Sequence, residues 1–375
     1  MSVAVESPLL PTYPPTRVTF VRGDGVTLFD EHGREYLDFA AGIAVVALGH
    51  RHPAVLDAAH AQLDRLWHVS NLFGTEPAQE LAQRLSARFG AAQAFFCNSG
   101  AEANEAALKY ARKATGKHGV VALTGSFHGR TAGSLSVTGQ PAKRAAFEPL
   151  LSGMRFVEPN DVEGLRAAMS DEIGLVLLEP VLGEGGVVPL MHEFVAAARE
   201  LDALLAFDEV QTGVGRAGTF FAFEQLGVRP DLVTLAKGLA NGLPIGCLLV
   251  ADHAAGAFAP GDHGSTFGGN PVVCAAALAV CDAVDDDLLA QVRANGELVL
   301  AGVRELPHVV DARGVGLLIG AELDEPAQPF VDAALDAGLV CLTSGENVLR
   351  LAPPLVVGAD DVEHALKVLA EVLGG

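Results

Sequence analysis

The pattern of hydrophobic and polar positions changes near residue 54 of the chain. Before that point, apolar runs at residues 18–21 and 26–29 flank a turn at residues 22–25 that contains two glycines. A second turn, at residues 30–33, leads into another apolar run at residues 36–39. Short apolar runs joined by tight turns predict a small antiparallel sheet.

From residue 54 onward, helical stretches alternate with short apolar runs that are bounded by turn residues. Helices are predicted over residues 54–67, 76–89 and 101–114, and strands over residues 94–97, 120–123, 173–178, 204–207 and 231–236. These strands lack the polar alternation of a half-exposed sheet. They therefore predict an α/β fold in which a mostly parallel sheet is sandwiched between helices.

The pattern of apolar and polar positions changes again in the last hundred residues. A helix is predicted over residues 272–284, and three aspartates at residues 285–287 lead into a mixed α+β portion. Self-similarity at a fixed period, the mark of repeat proteins, is absent from the sequence. We expect a large domain over residues 51–275 and a smaller α+β domain formed by residues 1–50 and 276–375.

The charge balance narrows the partners that the chain can have. Lys and Arg total 25 against 46 Asp and Glu, a formal net charge of −21. An acidic surface repels nucleic-acid phosphates and anionic membranes, so neither partner is expected. The apolar run at residues 272–281 is too short to span a bilayer. Residues 1–15 lack the basic and apolar regions of a signal peptide, which leaves the cytoplasm as the expected location.

The cysteines and histidines do not indicate a metal site. The five cysteines are scattered without a Cys-x-x-Cys pair, so we expect buried hydrophobic side chains in a reducing compartment. His50 and His52 precede a proline in a loop and are expected to be structural. The sequence predicts no metal.

The first candidate for chemistry is the segment of residues 98–105, Asn-Ser-Gly-Ala-Glu-Ala-Asn-Glu. A predicted strand ends at Cys97, small residues turn the chain at Gly100 and Ala101, and a helix begins. Free backbone N–H groups at a helix N-terminus suit a phosphate. The alternative is an ordinary serine cap at Ser99.

Two further candidates lie directly after predicted strands. Asp208 and Glu209 end one strand, at the edge of the sheet where ligands of open α/β folds bind, and a carboxylate there can keep a heterocyclic nitrogen protonated. The alternative is a capping aspartate. Lys237 follows another apolar strand, and a partly desolvated amine can form a Schiff base with an aldehyde. The alternative is a lysine that reaches solvent. The remaining lysines occupy polar helical or loop contexts; they are Lys109, Lys113, Lys117, Lys143 and Lys367.

One motif imitates a dinucleotide-binding fingerprint. Residues 213–218 read Gly-Val-Gly-Arg-Ala-Gly after a strand, with Asp231 further along. Two carboxylates, Asp208 and Glu209, precede these glycines and would oppose a pyrophosphate. We therefore do not expect a Rossmann site here.

The chain resembles the class III aminotransferases, which have the aspartate-aminotransferase fold (fold type I) and use pyridoxal 5′-phosphate. The resemblance runs from about residue 16 to residue 357. It is carried by residues 48–53 (Leu-Gly-His-Arg-His-Pro), 70–73 (Ser-Asn-Leu-Phe), 98–105, 126–131 (Ser-Phe-His-Gly-Arg-Thr), 179–186 (Glu-Pro-Val-Leu-Gly-Glu-Gly-Gly), 208–213, 237, 263–271 (His-Gly-Ser-Thr-Phe-Gly-Gly-Asn-Pro) and 348–353 (Val-Leu-Arg-Leu-Ala-Pro).

The resemblance implies a set of cofactor contacts. Lys237 would hold the cofactor and shuttle a proton, and Asp208 would pair with the pyridinium nitrogen. Gly100 and Ala101 would bind the phosphate, although the family often has Thr where Ala101 stands. The other implied cofactor contacts are Phe127 and Val210 on the two ring faces, Gln211 near the ring hydroxyl, the neighbouring Glu209, and Thr266 reaching the phosphate of the other subunit of a homodimer.

The resemblance also implies the substrate contacts. Arg130 would take the α-carboxylate of the amino donor, and Arg350 that of glutamate or 2-oxoglutarate. Glu184 would pair with Arg350 when an ω-amine occupies the site, and Ser265 would lie near the substrate. Residues 70–73 favour the branch of the family that transfers the δ-amine of N-acetylornithine to 2-oxoglutarate, giving N-acetylglutamate 5-semialdehyde and glutamate in arginine biosynthesis.

Several alternatives stay open. Other branches act on ornithine, 4-aminobutyrate or succinylornithine, and one acts on a carrier-linked aminoadipate semialdehyde in lysine synthesis. An acidic carrier would be repelled by a chain of net charge −21, which weakly disfavours that branch. The same fold also supports mutases and decarboxylases, and a degenerate copy could act as a regulator without turnover.

Overall fold

The computed structural model describes residues 9–375. Its strands, in chain order, are β1 (Phe20–Asp24), β2 (Thr27–Asp30), β3 (Glu35–Asp38), β4 (Ala92–Cys97), β5 (Gly119–Leu123), β6 (Met154–Val157), β7 (Ile173–Leu178), β8 (Val181–Leu182), β9 (Val188–Pro189), β10 (Leu204–Asp208), β11 (Leu232–Leu235), β12 (Gly246–Ala251), β13 (Val309–Val315), β14 (Leu318–Leu323), β15 (Leu339–Val340), β16 (Leu342–Thr343) and β17 (Val348–Leu351).

The helices alternate with these strands through the middle of the chain. They are α1 (Ala41–Ala44), α2 (Pro53–Leu63), α3 (Glu76–Phe89), α4 (Gly100–Thr115), α5 (Ala132–Ser136), α6 (Pro141–Arg144), α7 (Val162–Ala167), α8 (His192–Arg199), α9 (Pro271–Ala283), α10 (Asp286–Arg304), α11 (Gln328–Asp336) and α12 (Ala359–Gly374), with short 3₁₀ turns at Ala145–Phe147, Ala222–Leu226, Lys237–Ala240 and Asp252–Ala254. The short α1 is a turn of left-handed backbone rather than a regular helix.

A seven-stranded sheet in the order β4-β12-β11-β10-β7-β5-β6 forms the centre of the fold. The strands from β11 to β6 pair in parallel, and β12 runs antiparallel to both of its neighbours. The predicted mostly parallel sheet is therefore confirmed. Strand β12 was not predicted.

Alternate residues of the central strands enter different hydrophobic cores, as a sheet covered on both faces requires. On β10, Leu205 and Phe207 join a large core that includes side chains of α2, α3 and α9. Ala206, between them, joins a second core with Leu108 and its neighbours on α4. The sequence therefore shows unbroken apolar runs because both faces of the sheet are buried.

The N-terminal strands form the predicted antiparallel sheet, and a strand from the other end of the chain completes it. β1, β2 and β3 pair antiparallel, and β15 pairs with β3 in parallel. A second antiparallel sheet, in the order β13-β14-β17-β16, packs against α10. The domain limits at residues 50 and 275 stay a prediction.

The predicted helices are confirmed with small shifts at their ends. α3 begins and ends at the predicted residues, whereas α2 ends at Leu63, four residues before the predicted end. The indole of Trp67 donates a hydrogen bond to the carbonyl of Leu63 at 2.6 Å, so this side chain satisfies a carbonyl that the end of the helix leaves free. In residues 9–375, no helix has the length and apolar character that a membrane span needs.

Candidate active site

A cavity of about 420 Å³ lies at the carboxyl ends of the central strands, beside the N-terminus of α4. This is the edge of an open α/β sheet where ligands bind. Its wall gathers most of the predicted site residues, namely Gly100, Ala101, Phe127, Arg130, Glu184, Asp208, Val210, Gln211 and Lys237. The fold therefore brings together residues that are far apart in sequence.

The N-terminus of α4 offers free hydrogen-bond donors to this cavity. Ser99 caps the helix, and its hydroxyl accepts a hydrogen bond from the amide of Glu102 at 3.2 Å. Among residues 9–375, the amides of Gly100 and Ala101 have no acceptor. A Cβ at Gly100 would come within 2.7 Å of a methyl group of Val210, so this position requires glycine. The two alternatives from the sequence are therefore compatible, because one turn carries both the Ser99 cap and the free backbone amides that suit a phosphate.

Asp208, at the end of β10, is buried and held by three donors. The amide of Asn104 and the imidazole Nδ1 of His128 each lie 2.7 Å from its Oδ2, and the backbone amide of Val210 donates to Oδ1 at 3.0 Å. Thr234 in turn donates to Asn104 at 2.8 Å. These contacts fix the orientation of the carboxylate toward the cavity.

His128 makes this carboxylate part of a charged pair. Burial by itself would lower the pKa of His128, but the hydrogen bond and the charge of Asp208 outweigh burial and raise it. The other imidazole nitrogen, Nε2, is buried without a partner in the described chain. Sequence reasoning missed His128, Asn104 and Thr234. His128 directly follows Phe127 in the motif of residues 126–131, and this position was the one signal in the sequence that His128 belongs to the site.

Lys237 follows β11 and enters the cavity from a strained backbone. Its φ of +43° lies in the left-handed region, where side chains other than glycine are uncommon. Burial lowers its pKa to about 8, and the nearby charge of Arg350 acts in the same direction. Its amine makes no hydrogen bond with any residue from 9 to 375. The structure therefore presents a partly neutral amine without a partner.

Arg350 and Glu184 form an ion pair in which Arg350 is buried and Glu184, on the cavity wall, is partly buried. Nη1 of Arg350, on β17, lies 2.5 Å from a carboxylate oxygen of Glu184 and 2.8 Å from the carbonyl of Gly183. Burial would raise the pKa of Glu184, but the charge of Arg350 outweighs it and lowers the pKa. The predicted pairing of these two side chains is present, and Gln211 accepts from the same arginine at 3.3 Å.

Arg130 lies at the open end of the cavity. Its side chain is exposed, and its guanidinium carbon is 5.7 Å from the ring centroid of Phe127. An exposed guanidinium at the mouth of a cavity is free to accept a carboxylate. Arg130 thus lies on the cavity wall, and Arg350 reaches the same wall through its ion pair with Glu184.

Glu179 and Glu209 are both buried, but only Glu179 lines the cavity. Glu179 accepts hydrogen bonds from the backbone amides of Phe127 at 2.7 Å and Gly183 at 3.0 Å, so it joins two walls of the site. Glu209 accepts from the amides of Ala222 and Phe223 at 2.7 and 2.8 Å. These two bonds turn the side chain of Glu209 away from the cavity, and burial raises its pKa to about 8. A cofactor contact through the Glu209 carboxylate is not supported by this geometry.

Ser265 and Thr266 lie on a loop beside the site but do not line its cavity in one chain. The hydroxyl of Ser265 accepts a hydrogen bond from the side-chain amide of Asn98 at 3.1 Å. The side-chain amide of Asn71 donates to the backbone carbonyl of Ser265 at 2.9 Å. Thr266 is exposed. Their roles in a neighbouring subunit stay a prediction.

The glycine motif at residues 213–218 forms turns that pack against the C-terminal part of the chain. Nη1 of Arg216 donates to the carbonyl of Leu317 at 2.9 Å, and also contacts the carbonyl of Pro353. The motif opens no regular α-helix, which a pyrophosphate site would need.

The residues around the cavity fit pyridoxal phosphate. The free amides at Gly100 and Ala101 suit a phosphate, the buried carboxylate of Asp208 suits a protonated ring nitrogen, and the unpartnered amine of Lys237 suits an aldehyde. The side chains of Phe127 and Val210 supply apolar walls for a flat ring. The free amides, the buried carboxylate and the unpartnered amine thus each match one polar group of this cofactor.

The fold and the site define a pyridoxal-phosphate-dependent enzyme of fold type I. Residues 11–373 match the family model of class-III aminotransferases, and the chain belongs to this family.

Similar proteins include acetylornithine aminotransferases from Corynebacterium efficiens and Mycolicibacterium smegmatis. Each is 48% identical to this chain; the first alignment covers 97% of this chain and 94% of the relative, and the second 98% and 96%. Among solved structures, the N-acetylornithine aminotransferase from Stenotrophomonas maltophilia matches with a TM-score of 0.84 and 36% identity over 96% of both chains. The ornithine aminotransferase from Toxoplasma gondii matches with a TM-score of 0.92 and 29% identity over 97% of this chain and 92% of that one.

Proposed function

We propose that this aminotransferase transfers the δ-amino group of N-acetylornithine to 2-oxoglutarate, giving N-acetylglutamate 5-semialdehyde and glutamate for arginine biosynthesis. Relatives named acetylornithine aminotransferase are 48% identical over nearly the whole chain. The observation that carries the proposal is a pair of arginines at the cavity: Arg130 is exposed on its wall, and Arg350 is paired with Glu184, which also lines it.

Asp208, Gly100 and Ala101 are the proposed groups that would bind and orient the cofactor. Pyridoxal phosphate, when bound, withdraws electrons from the carbon that carries the reacting amine. The negative charge of Asp208 favours a proton on the ring nitrogen, and the hydrogen bonds from Asn104 and His128 keep the carboxylate in place. The amides of Gly100 and Ala101 would hold the cofactor's phosphate at the start of α4.

Lys237 is the proposed proton carrier at the reacting carbon. Because burial lowers its pKa to about 8, about a tenth of the amine is neutral at pH 7, far more than for an ordinary lysine, and this form can accept a proton. The strained backbone directs this side chain into the cavity, where no other described group holds it. Its position and its lowered pKa thus serve the same step.

Arg350 and Glu184 would distinguish the two half-reactions. The reacting carbon of N-acetylornithine carries no carboxylate, so Arg350 can stay paired with Glu184 while this donor reacts. The reacting carbon of 2-oxoglutarate is next to a carboxylate, which would replace Glu184 on the arginine. A bidentate guanidinium can serve either partner.

Arg130 would hold the far end of the donor. Its exposed guanidinium at the mouth of the cavity suits the α-carboxylate of N-acetylornithine, which lies several bonds from the reacting δ-amine. With both ends held, the δ-carbon is positioned near Lys237.

We further propose that two copies of the chain assemble as a cytoplasmic homodimer with shared active sites. Large apolar side chains near the loop of Ser265 and Thr266 are exposed, among them Trp67, Leu72 and Phe267. Apolar patches of this kind mark interaction surfaces. A second copy would cover them and would bring Thr266 to the phosphate end of its neighbour's cavity.

Steady-state kinetics with alternative donors tests the proposed substrate. With 2-oxoglutarate as acceptor, we expect kcat/KM for N-acetylornithine to exceed those for ornithine and 4-aminobutyrate by about a hundredfold or more. A higher kcat/KM for ornithine would assign the chain to the ornithine branch. Turnover of a carrier-bound semialdehyde alone would assign it to the lysine-synthesis branch.

A further inference from the structure

Lys143 lies beside the donor end of the cavity, although its sequence context is that of an ordinary polar lysine. It is half-buried on the short helix α6, and its amine is 5.0 Å from the ring centroid of Phe127. Arg130 approaches the same ring at 5.7 Å. Two cations therefore flank one aromatic side chain of the cavity wall.

Gln140 fixes the position of the Lys143 amine. Its side-chain oxygen accepts a hydrogen bond from this amine, and its side-chain nitrogen donates to the carbonyl of Gly125 at 3.0 Å. Because Gln140 is itself anchored, Lys143 is held at the Phe127 ring instead of extending into solvent. A fixed cation loses less conformational entropy when it binds an anion.

The charges around Lys143 are those of the active site. Burial lowers the pKa of Lys143; Glu184 acts to raise it, and Arg130 and Arg350 act to lower it further. These three residues are the proposed carboxylate-handling groups of the site. Lys143 therefore belongs electrostatically to the same cluster, although it is not part of the immediate cavity wall.

We propose that Lys143 is a specificity-determining residue whose ammonium, together with Arg130, selects substrates with an anionic far end. The inference deepens the proposed function and rests on it for the identity of the donor. The far end of N-acetylornithine carries a carboxylate and a neutral amide, so its charge is negative. The far end of ornithine carries a carboxylate and an ammonium, so two cations attract it less and repel its ammonium directly.

The same pair of cations also faces the acceptor. When Arg350 holds the carboxylate next to the reacting carbon of 2-oxoglutarate, its other carboxylate extends toward Arg130 and Lys143. Loss of Lys143 should therefore weaken this acceptor as well, but less than the donor, because Arg350 still provides an anchor.

The test compares Lys143→Gln with Lys143→Arg in the cofactor-loaded enzyme. We expect Lys143→Gln to lower kcat/KM for N-acetylornithine about tenfold and to raise the KM for 2-oxoglutarate about threefold. We expect kcat/KM for ornithine to stay the same or to rise. Lys143→Arg should restore most of the selectivity, since it keeps the charge.

Arg144→Gln is the matched control, because it removes one positive charge from the next position of α6. Its guanidinium lies over Phe156, at 4.4 Å, and not over Phe127. This variant should leave the ratio of N-acetylornithine to ornithine activity unchanged. A thermal melt of every variant separates loss of fold from loss of selectivity.

Two results would overturn the inference: an equal decrease for both donors in Lys143→Gln, or no change in the donor ratio and in the KM for 2-oxoglutarate. Failure of the proposed function is a separate outcome, visible in the unmodified enzyme as a preference for a donor other than N-acetylornithine. The KM for 2-oxoglutarate would then still decide whether Lys143 attracts an anionic far end.

Discussion

The two ends of the cavity are built in different ways. At the cofactor end, Asp208 is 3% exposed and holds three hydrogen bonds of 3.0 Å or less, so one arrangement is fixed. At the substrate end, Arg350 is paired with a carboxylate that a substrate can replace, and Arg130 is exposed. The cofactor end thus holds its carboxylate in one fixed arrangement, whereas the substrate end has one ion pair that can open and one exposed guanidinium.

Replacing Lys237 should produce the largest effect. Lys237→Ala removes the only amine on the cavity wall formed by the described residues, and we expect turnover to fall at least about a thousandfold. Cofactor binding should persist, because the phosphate and ring contacts come from other residues. Multiple turnovers by this variant would contradict the role of Lys237, and absorbance spectroscopy after gel filtration reports retained cofactor.

Replacing Asp208 tests the rigid end. Asp208→Asn keeps the shape of the side chain but removes the charge, so we expect kcat to fall about a hundredfold or more while the fold is retained. His128→Asn should cost less, about tenfold, because it removes one support and leaves the carboxylate. An Asp208→Asn variant with nearly normal kcat would show that the charge at this position is not used.

Breaking the ion pair of Arg350 and Glu184 tests whether a substrate carboxylate replaces Glu184 on the arginine. Glu184→Ala frees Arg350, so we expect a lower KM for 2-oxoglutarate and a roughly tenfold lower kcat/KM for N-acetylornithine, whose reacting end would meet an unpaired cation. The two half-reactions should therefore change in opposite directions. A parallel change in both would argue against the exchange of partners on Arg350.

Replacing Arg130 should affect the donor more than the acceptor. Arg130→Ala removes the proposed partner of the donor carboxylate, and we expect the KM for N-acetylornithine to rise about tenfold. The KM for 2-oxoglutarate should rise less, because Arg350 still binds its other carboxylate. Equal increases in the two KM values would count against this assignment.

The pH dependence of cofactor uptake gives the smallest of these effects. The free amine of Lys237 has a pKa of about 8, lowered chiefly by burial, and only the neutral form reacts with an aldehyde. The uptake rate of the cofactor-free protein should therefore rise with pH below about 8 and level off above it. A rise that continues to the pKa of an ordinary lysine would mean that the amine is not desolvated.

Part of the site can be predicted from the sequence, because the ends of the strands can be read from the pattern of apolar residues. Asp208 and Lys237 directly follow nearly continuous apolar runs, and parallel strands bring their carboxyl ends to one edge of the sheet. Gly100 follows a strand and begins a helix in the same way. Local rules therefore predict the positions of Asp208, Lys237 and Gly100, but not the side chains of His128, Asn104 and Thr234 that hold Asp208 in place.

The rest depends on contacts that pattern does not reveal. Nothing in the sequence around Glu209 shows that its carboxylate accepts hydrogen bonds from the backbone amides of Ala222 and Phe223. Likewise, the position of Lys143 depends on Gln140 and on the ring of Phe127, whose segments are joined by hydrogen bonds of Gly139 and Gln140 to residues 125 and 126. The direction of a side chain within a loop requires the folded structure.

The most direct measurement of the central claim is a single half-reaction. The cofactor-loaded enzyme is mixed with N-acetylornithine without any oxo acid, and the visible absorbance of the cofactor and the semialdehyde product are followed together. The proposed function predicts loss of that absorbance with about one equivalent of semialdehyde per site, and recovery of the absorbance when 2-oxoglutarate is added. An unchanged spectrum, or semialdehyde that accumulates well beyond one equivalent without an acceptor, would contradict it.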